Sequence, residues 1–158
     1  MKKVLVFLAF GLFFSYHFVF ANIEISEIMY DLKTGSDEGR EWIEVYNNSD
    51  VSIDLSTFKF FEGDVNHKII LKQGNINITA KGYALIVSDE IKFRIDWPNF
   101  SGTIFDSSFS LNNSGESLAI KAGEETTDQF IYKSSFGGTG NGKSLQKING
   151  EWKEAMPT

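Results

Sequence analysis

The sequence predicts an all-β protein with the architecture of an antiparallel β-sandwich, built from about nine short strands and at most one short helix. Two observations support this prediction. Apolar and polar residues alternate with a period of two over short runs, which is the pattern of half-buried strands. Turns rich in Gly, Asn, Asp and Ser separate these runs, and helical patterning is confined to one segment.

The first 21 residues have the pattern of a secretory signal peptide. Lys2 and Lys3 precede an apolar run over residues 4–14, and the segment ends at the small residue Ala21. We therefore predict cleavage after Ala21 and an exported protein, found outside the cell, in a periplasm or at the cell surface. The alternative is an uncleaved segment that holds the chain at a membrane, because residues 4–20 reach the lower limit of a membrane span.

Residues 22–158 have the length of one domain, and no linker or repeat divides them. Loss of the two leading lysines would change the net charge from −6 to −8. Binding to a phosphate backbone depends on clustered Lys and Arg, so we expect no nucleic-acid partner. The chain has no cysteine, which excludes disulfides, thiolate metal sites and cysteine nucleophiles. One histidine, His67, follows the signal peptide, so a zinc site would need mostly carboxylate ligands.

The first half of the domain is predicted to consist of strands. They are expected at residues 23–30, 40–46, 51–55, 58–60, 67–72, 76–78 and 83–88. Ile23, Ile25 and Met29 share one parity, which predicts that their side chains lie on one face. The parity of the apolar residues changes across Ser56 and Thr57, and such a change requires a turn or a bulge.

A helix is predicted at residues 89–96, with Ser88 or Asp89 as its N-cap. Trp97 precedes a proline and should end the helix, because the residue before proline avoids the helical region.

The second half returns to strands. Phe109 and Leu111 are predicted to enter a turn at residues 112–115, from which the alternating run over residues 118–122 leaves as the second arm of a hairpin. Further strands are expected at residues 128–134, 144–148 and 151–154. The dipeptide Asn149-Gly150 is a strong two-residue hairpin signal between the last two of these strands.

Glu41, Trp42 and Glu44 lie within four residues of one another, which raises the question of a catalytic pair of carboxylates beside a sugar-stacking tryptophan. Successive side chains of a strand point to opposite faces, so Glu41 and Glu44 cannot form a pair on one side of it. Glycosidase chemistry needs two converging carboxyl groups, and Glu27 or Asp31 could supply the second from a neighbouring strand. We favour a structural role, with Glu44 solvated and Glu41 bonded to a loop backbone or to Arg40.

Three other site types can be considered. Trp97, beside Phe100 at the predicted helix end, is the best candidate for a sugar-stacking surface. Calcium could bind the acidic residues at 64–66 or 89–90, although neither segment has the spacing of a calcium-binding hand. Residues 137–144 satisfy the phosphate-loop pattern G-x-x-x-x-G-K-S, but the mechanism needs a helix after the loop, and a strand is predicted there.

The order of the segments carries a family resemblance. IEISEIMYD, SDEGREWIEVYNNSD and VSIDLSTFKF follow one another at the start, and FSLNNSGESLAIK and GNGKSLQKINGEWKEAMPT follow later. Together these segments resemble the bacterial secreted lamin tail domains over residues 22–158. The resemblance implies an immunoglobulin-like β-sandwich in which the strand containing Glu41, Trp42 and Glu44 is architectural, and it carries no catalytic residue to this sequence.

We therefore expect a non-enzymatic, exported module that contacts a protein or a cell-surface polysaccharide, without a cofactor. A carbohydrate-binding or calcium-assisted adhesion module using Trp97 and Phe100 is the alternative. A secreted hydrolase with Glu27, Glu41 and Glu44 near its site is the third reading. Contact with a membrane is expected only through an uncleaved signal segment.

Overall fold

The computed structural model describes residues 23–158, so the predicted signal peptide at residues 1–21 lies outside the described residues. Two short 3-10 helices, Leu55–Thr57 and Ser134–Phe136, and one α-helix, α1 (Glu90–Asp96), accompany thirteen strands. The strands are β1 (Ile23–Met29), β2 (Trp42–Asn47), β3 (Ile53–Asp54), β4 (Phe58–Glu62), β5 (Val65–Lys68), β6 (Ile70–Gln73), β7 (Asn77–Ile78), β8 (Tyr83–Val87), β9 (Ile104–Asp106), β10 (Ser117–Ala122), β11 (Glu125–Ile131), β12 (Ser144–Ile148) and β13 (Glu151–Ala155). The all-β prediction is confirmed, although the strands are shorter and more numerous than the expected nine or so. Among the described residues, no helix is both long and apolar enough to cross a membrane.

Two sheets enclose the main core. The first has seven strands in the order β13-β12-β1-β2-β8-β9-β6, and the second has four in the order β11-β10-β4-β5. Strands β3 and β7 form a separate short pair. Apolar side chains from the inner faces of both sheets pack together, including Ile25, Ile43 and Ile86 from the first and Phe60 and Ile120 from the second. This is the layered arrangement of an immunoglobulin-like sandwich.

The seven-stranded sheet contains one parallel pair, which the expectation of an antiparallel sandwich did not include. Strands β8 and β9 run parallel, and α1 lies in the connection between them. A parallel pair cannot be joined by a tight hairpin and needs a crossover, which α1 and its flanking loops provide. The helix packs on the outer face of this sheet, where Phe93 is fully buried against Trp42 and Val87.

The parity predicted for β1 is wrong at its end. The pairing of β1 with β2 shifts between Ile25 and Glu27, which is the mark of a β-bulge. Ile23, Ile25 and Ile28 consequently face the main core, whereas Met29 joins the second apolar cluster beneath α1. One extra residue thus moved Met29 to the opposite face of the sheet.

Two other predicted elements are wrong. Phe109 and Leu111 are buried in the main core, but they belong to no strand, so the expected hairpin across residues 112–115 does not form. Strand β10 instead pairs with β11 and β4. The run over residues 67–72 is divided between β5 and β6, which lie in different sheets on either side of the buried Ile69.

The local signals were more reliable. Asp89 is the N-cap of α1, since its carboxylate accepts hydrogen bonds from the backbone N–H groups of Ile91 and Lys92. Trp97 is the C-cap. Asn149 and Gly150 have φ values of +52° and +81° and join β12 to β13, as the hairpin signal predicted. The parity change after β3 occurs in the 3-10 helix Leu55–Thr57.

Candidate functional site

The outer face of the seven-stranded sheet is divided into two halves. One half carries a row of apolar side chains, Met29, Trp42 and Val87, which are paired across β1, β2 and β8 and packed against α1. In the other half, which we call the open half, two polar and aromatic rows follow the same strands. These rows are Gln146, Glu27 and Glu44 across β12, β1 and β2, and Glu24, Tyr46 and Tyr83 across β1, β2 and β8.

Glu27 lies at the centre of the open half and is 1 % exposed. Its Oε1 accepts hydrogen bonds from the hydroxyl of Ser144 and from Nε2 of Gln146, and its Oε2 accepts one from the hydroxyl of Thr158 at 2.7 Å. Burial raises the pKa of Glu27 because it disfavours the charged form, and the hydrogen bonds from these side chains oppose that rise. The carboxyl group therefore joins β1 to β12 and to the C-terminal segment.

Glu44 lies directly opposite Glu27 on β2. Its Oε1 accepts a hydrogen bond of 2.6 Å from the hydroxyl of Ser26, the residue at the bulge. Burial raises the pKa of Glu44, and the neighbouring Glu27 raises it further. The side chain is half-buried, rather than fully solvated as the sequence suggested.

Tyr46 and Tyr83 form an aromatic pair at the end of the open half. Their ring centroids are 4.7 Å apart with an interplanar angle of 34°, and Tyr83 is 57 % exposed.

Two clefts flank these rings. One, of about 450 Å³, is lined by Ser26, Glu27, Glu44, Tyr83, Gln146, Lys147, Ile148 and Thr158. The other, of about 340 Å³, shares Ser26, Tyr83 and Lys147 with the first and adds Glu24, Ile25, Tyr46 and Gly150. Both volumes are within the range of small-ligand sites.

Glu41 immediately precedes β2, and its side chain lies in the interior. It is 2 % exposed, and its Oε1 accepts a hydrogen bond of 2.9 Å from the backbone N–H of Leu111. Burial raises the pKa of Glu41 to about 8, the bond from Leu111 opposes that rise, and the charges of Asp37, Glu116 and Glu62 add to it. Glu41 and Glu44 thus do not converge, and it is Glu27 that lies beside Glu44.

Trp97 and Phe100 lie together at the end of α1. Both line a cleft of about 350 Å³, together with Asp96, Pro98, Asn99, Pro157 and Thr158. Both rings also pack against the apolar cluster beneath the helix, and Trp97 meets Trp42 edge to face with centroids 6.1 Å apart. Both half-buried rings therefore stabilise the packing of α1 against the sheet, in addition to lining the cleft.

The two acidic segments considered as alternative calcium sites lie in different elements of the fold. Asp64 lies in the turn between β4 and β5, and Asp89 caps α1 with its carboxylate. Within residues 23–158, no three acidic or histidine side chains form a group that could hold a metal ion.

The two tyrosines of the open half were not identified as a site from the sequence. Tyr46 and Tyr83 are 37 residues apart and become neighbours only because β2 pairs with β8 in the observed register. The only signal in the sequence was an aromatic residue among the positions of each strand that are predicted to face away from the core. Such a residue does not by itself indicate a site.

The fold and the family model together define the class of this protein. A two-sheet sandwich with one crossover helix places the chain among immunoglobulin-like β-domains. The family model described as Lamin Tail Domain matches residues 19–134, so the chain belongs to the lamin tail domain family. No curated protein and no solved structure matches the chain. The match ends before β12 and β13, yet β12 pairs with β1 and supplies Gln146 to the open half.

Proposed function

We propose that this lamin tail domain is an exported, non-enzymatic binding module that contacts a protein or a polysaccharide at a cell surface through its open half. The observation that carries the proposal is the exposed ring of Tyr83 beside side chains held in fixed positions on β1, β2 and β12. Groups fixed on strands are pre-organised, so little conformational entropy is lost when they bind.

The hydrogen bonds of Glu27 and Glu41 support binding rather than hydrolysis. Glu27 accepts bonds from Ser144, Gln146 and Thr158, and Glu41 accepts one from the backbone of Leu111. These bonds join segments that are distant in sequence, which is a structural role. Hydrolysis of a glycosidic bond needs one carboxyl group free to give up its proton and a second that acts on the sugar or on a water.

The open half is a better contact surface than the β13 edge of the seven-stranded sheet. An exposed edge strand can pair with a partner strand, and charged side chains on the edge oppose such pairing. Strand β13 is one edge of the seven-stranded sheet, and it carries Glu151, Lys153 and Glu154 within five residues. The acidic charge of the chain likewise supports a partner other than nucleic acid.

Co-sedimentation with cell-envelope fragments of the organism that makes the protein tests this function. We expect the purified chain to bind the fragments saturably, and Tyr83→Ala to reduce the binding. Ile91→Ala is the matched control, because Ile91 is 71 % exposed on the helix that covers the other half of the same face. Binding that is absent, or that Tyr83→Ala leaves unchanged, would contradict the proposal. So would hydrolysis of envelope glycans by the wild type that Glu44→Gln abolishes.

A further inference from the structure

We infer that the open half is a binding site for a neutral oligosaccharide, with Tyr83 as the stacking platform and Glu44 as a hydrogen-bonding group. This inference rests on the proposed function and names the chemical class of its ligand. Three properties of the described residues support it, namely an exposed aromatic face, a row of polar groups beside it and an acidic local charge.

The aromatic pair offers the type of surface to which sugar rings bind. A pyranose ring has an apolar face of C–H groups, and an aromatic ring covers that face while hydroxyl groups around it remain available for hydrogen bonds. Tyr83 is more than half exposed and is supported from one side by Tyr46 at a centroid distance of 4.7 Å. The ring can therefore be covered by a ligand without rearrangement of the sheet.

The polar row lies beside the rings on the neighbouring strands. Sugar hydroxyl groups both donate and accept, and they are satisfied by carboxylate oxygens and by side-chain amides. Glu44 carries a half-buried carboxylate opposite Leu85 on the strand of Tyr83, and it lines the same cleft as Tyr83. Its Oε1 accepts from Ser26, and its Oε2 can accept from a ligand. Adjacent strands are about 4.8 Å apart, so the four strands from β12 to β8 together span roughly 14 Å, enough for several linked sugar rings.

The charge of the open half selects against anionic ligands. Glu24, Glu27 and Glu44 all belong to its two rows. Lys147 lines both clefts, but its Nζ lies 2.9 Å from Oε2 of Glu24, so an acidic neighbour offsets its charge. The net negative charge there would repel phosphate headgroups and acidic polysaccharides. Neutral sugars carry no charge and would not be repelled.

Titration calorimetry with defined neutral oligosaccharides tests the inference directly. The probes are hexamers of β-1,4-glucose, β-1,4-xylose, α-1,4-glucose, β-1,4-mannose and N-acetylglucosamine, with oligogalacturonate as the anionic control. We expect at least one neutral hexamer to bind saturably and oligogalacturonate not to bind. Tyr83→Ala should weaken that binding by about tenfold or more, Tyr83→Phe by less than about threefold, and Ile91→Ala should not weaken it. Circular dichroism of each variant checks that the fold is retained.

Envelope fragments separate failure of the inference from failure of the proposed function. Periodate cleaves the vicinal diols of glycans, so treated fragments should lose the Tyr83-dependent binding, while protease-treated fragments should keep it. Loss of binding after protease treatment alone would make the ligand a protein, which overturns the inference and leaves the proposed function standing. Absence of saturable binding by every neutral hexamer, or binding that Tyr83→Ala does not weaken, would also overturn it.

Discussion

Glu27 and Glu44 lie directly opposite each other on β1 and β2, and both side chains point to the outer face of the seven-stranded sheet. Each has a raised pKa because burial disfavours its charged form, and at Glu44 the charge of Glu27 adds to the effect. Two carboxyl groups facing each other across a strand pair destabilise the fold when both are ionised. The folded protein should therefore be more stable if one of these two side chains carries no charge.

Glu44→Gln is therefore expected to stabilise the protein at pH 7, by about 0.5 kcal/mol. The glutamine keeps an oxygen that can accept from Ser26 and removes the charge that faces Glu27. When the pKa of a group is higher in the folded state than in the unfolded chain, its contribution to the free energy of unfolding is fully present below the unfolded-state pKa. That contribution is lost as the pH rises through the folded-state pKa. The gain should thus disappear below pH 4, where both carboxyl groups are protonated. Urea unfolding at pH 3.5 and pH 7 measures this, and the exposed Glu124→Gln serves as the control. A destabilised Glu44→Gln at pH 7 would contradict the expectation.

Glu41→Gln is expected to change the pH dependence of folding. The native pKa of Glu41 is about 8, against an ordinary value of 4.5 for a glutamate in the unfolded chain. The folded state therefore binds an extra proton between these pH values, and the free energy of unfolding falls as the pH rises from 4.5 to 8. The loss can reach about 5 kcal/mol at most, since one pKa unit corresponds to about 1.4 kcal/mol. Glutamine can still accept from Leu111 and carries no charge. We expect the variant to match the wild type within about 1 kcal/mol at pH 5 and to exceed it at pH 9.

Urea unfolding at several pH values between 5 and 9 measures this difference, and Glu124→Gln again provides the control. Parallel stability curves for the wild type and Glu41→Gln would show that Glu41 ionises in the folded protein as it does in the unfolded chain.

The sequence predicted the features that depend on a few adjacent residues. The cap at Asp89 and the turn at Asn149-Gly150 follow from local backbone chemistry, and both were found where predicted. The bulge at Ser26 was missed because no glycine or proline interrupts the alternation there, and pairing with β2 alone determines it. The buried Phe109 and Leu111 were assigned to a strand because an apolar alternation does not distinguish a paired strand from an extended loop held by the core.

The candidate site was harder to predict than the fold for the same reason. Trp97 and Phe100 are close in sequence and were recognised as neighbours, and the structure places both in one cleft. The rows of the open half combine residues from four strands, so they exist only once the strand order β12-β1-β2-β8 and its register are known. No local pattern specifies that order.

Tyr132→Phe is expected to destabilise the protein by about 1–2 kcal/mol. The hydroxyl of Tyr132 donates to the backbone carbonyl of Asn112 at 2.8 Å and lies 3.0 Å from Oε1 of Glu116, and the side chain is fully buried. Its removal leaves the Asn112 carbonyl with the bond from the backbone N–H of Gly115 and takes a hydrogen-bond partner from Glu116. Thermal unfolding measures the effect. Phe136→Leu, at an exposed ring, should change the midpoint much less, and equal shifts for the two variants would contradict the assigned role of the hydroxyl.

Processing of the N-terminus gives a test of export. We expect the chain recovered outside the cytoplasm of an expressing host to begin at Asn22, because the peptidase that removes signal peptides requires a small residue before the cut. Intact-mass measurement identifies the new terminus. Ala21→Arg should leave the chain uncut, whereas Ala21→Gly should be processed normally. Recovery of full-length wild-type chain in the membrane fraction would instead indicate an anchor.

Gly115→Ala and Gly123→Ala form a matched pair that separates backbone strain from steric overlap. Both glycines have a positive φ, +117° and +63°. The value at Gly123 lies in the left-handed region, which an L-residue adopts with strain of about 1 kcal/mol, whereas the value at Gly115 lies outside it. A Cβ at Gly123 would meet nothing within 4 Å. One at Gly115 would lie 2.4 Å from the carbonyl oxygen of Tyr132 and 2.7 Å from the Cα of Lys133, which are backbone atoms that cannot rotate away.

Gly123→Ala should therefore cost about 1 kcal/mol of unfolding free energy, the strain alone. Gly115→Ala should cost more than about 3 kcal/mol, because the turn at residues 112–115 must move away from the backbone of Tyr132 and Lys133 and weaken the bond from Tyr132 to Asn112. Urea unfolding of both variants measures the two losses. Equal losses in the two alanine variants would show that the turn can shift without disturbing Tyr132, so that positive φ alone accounts for glycine at position 115.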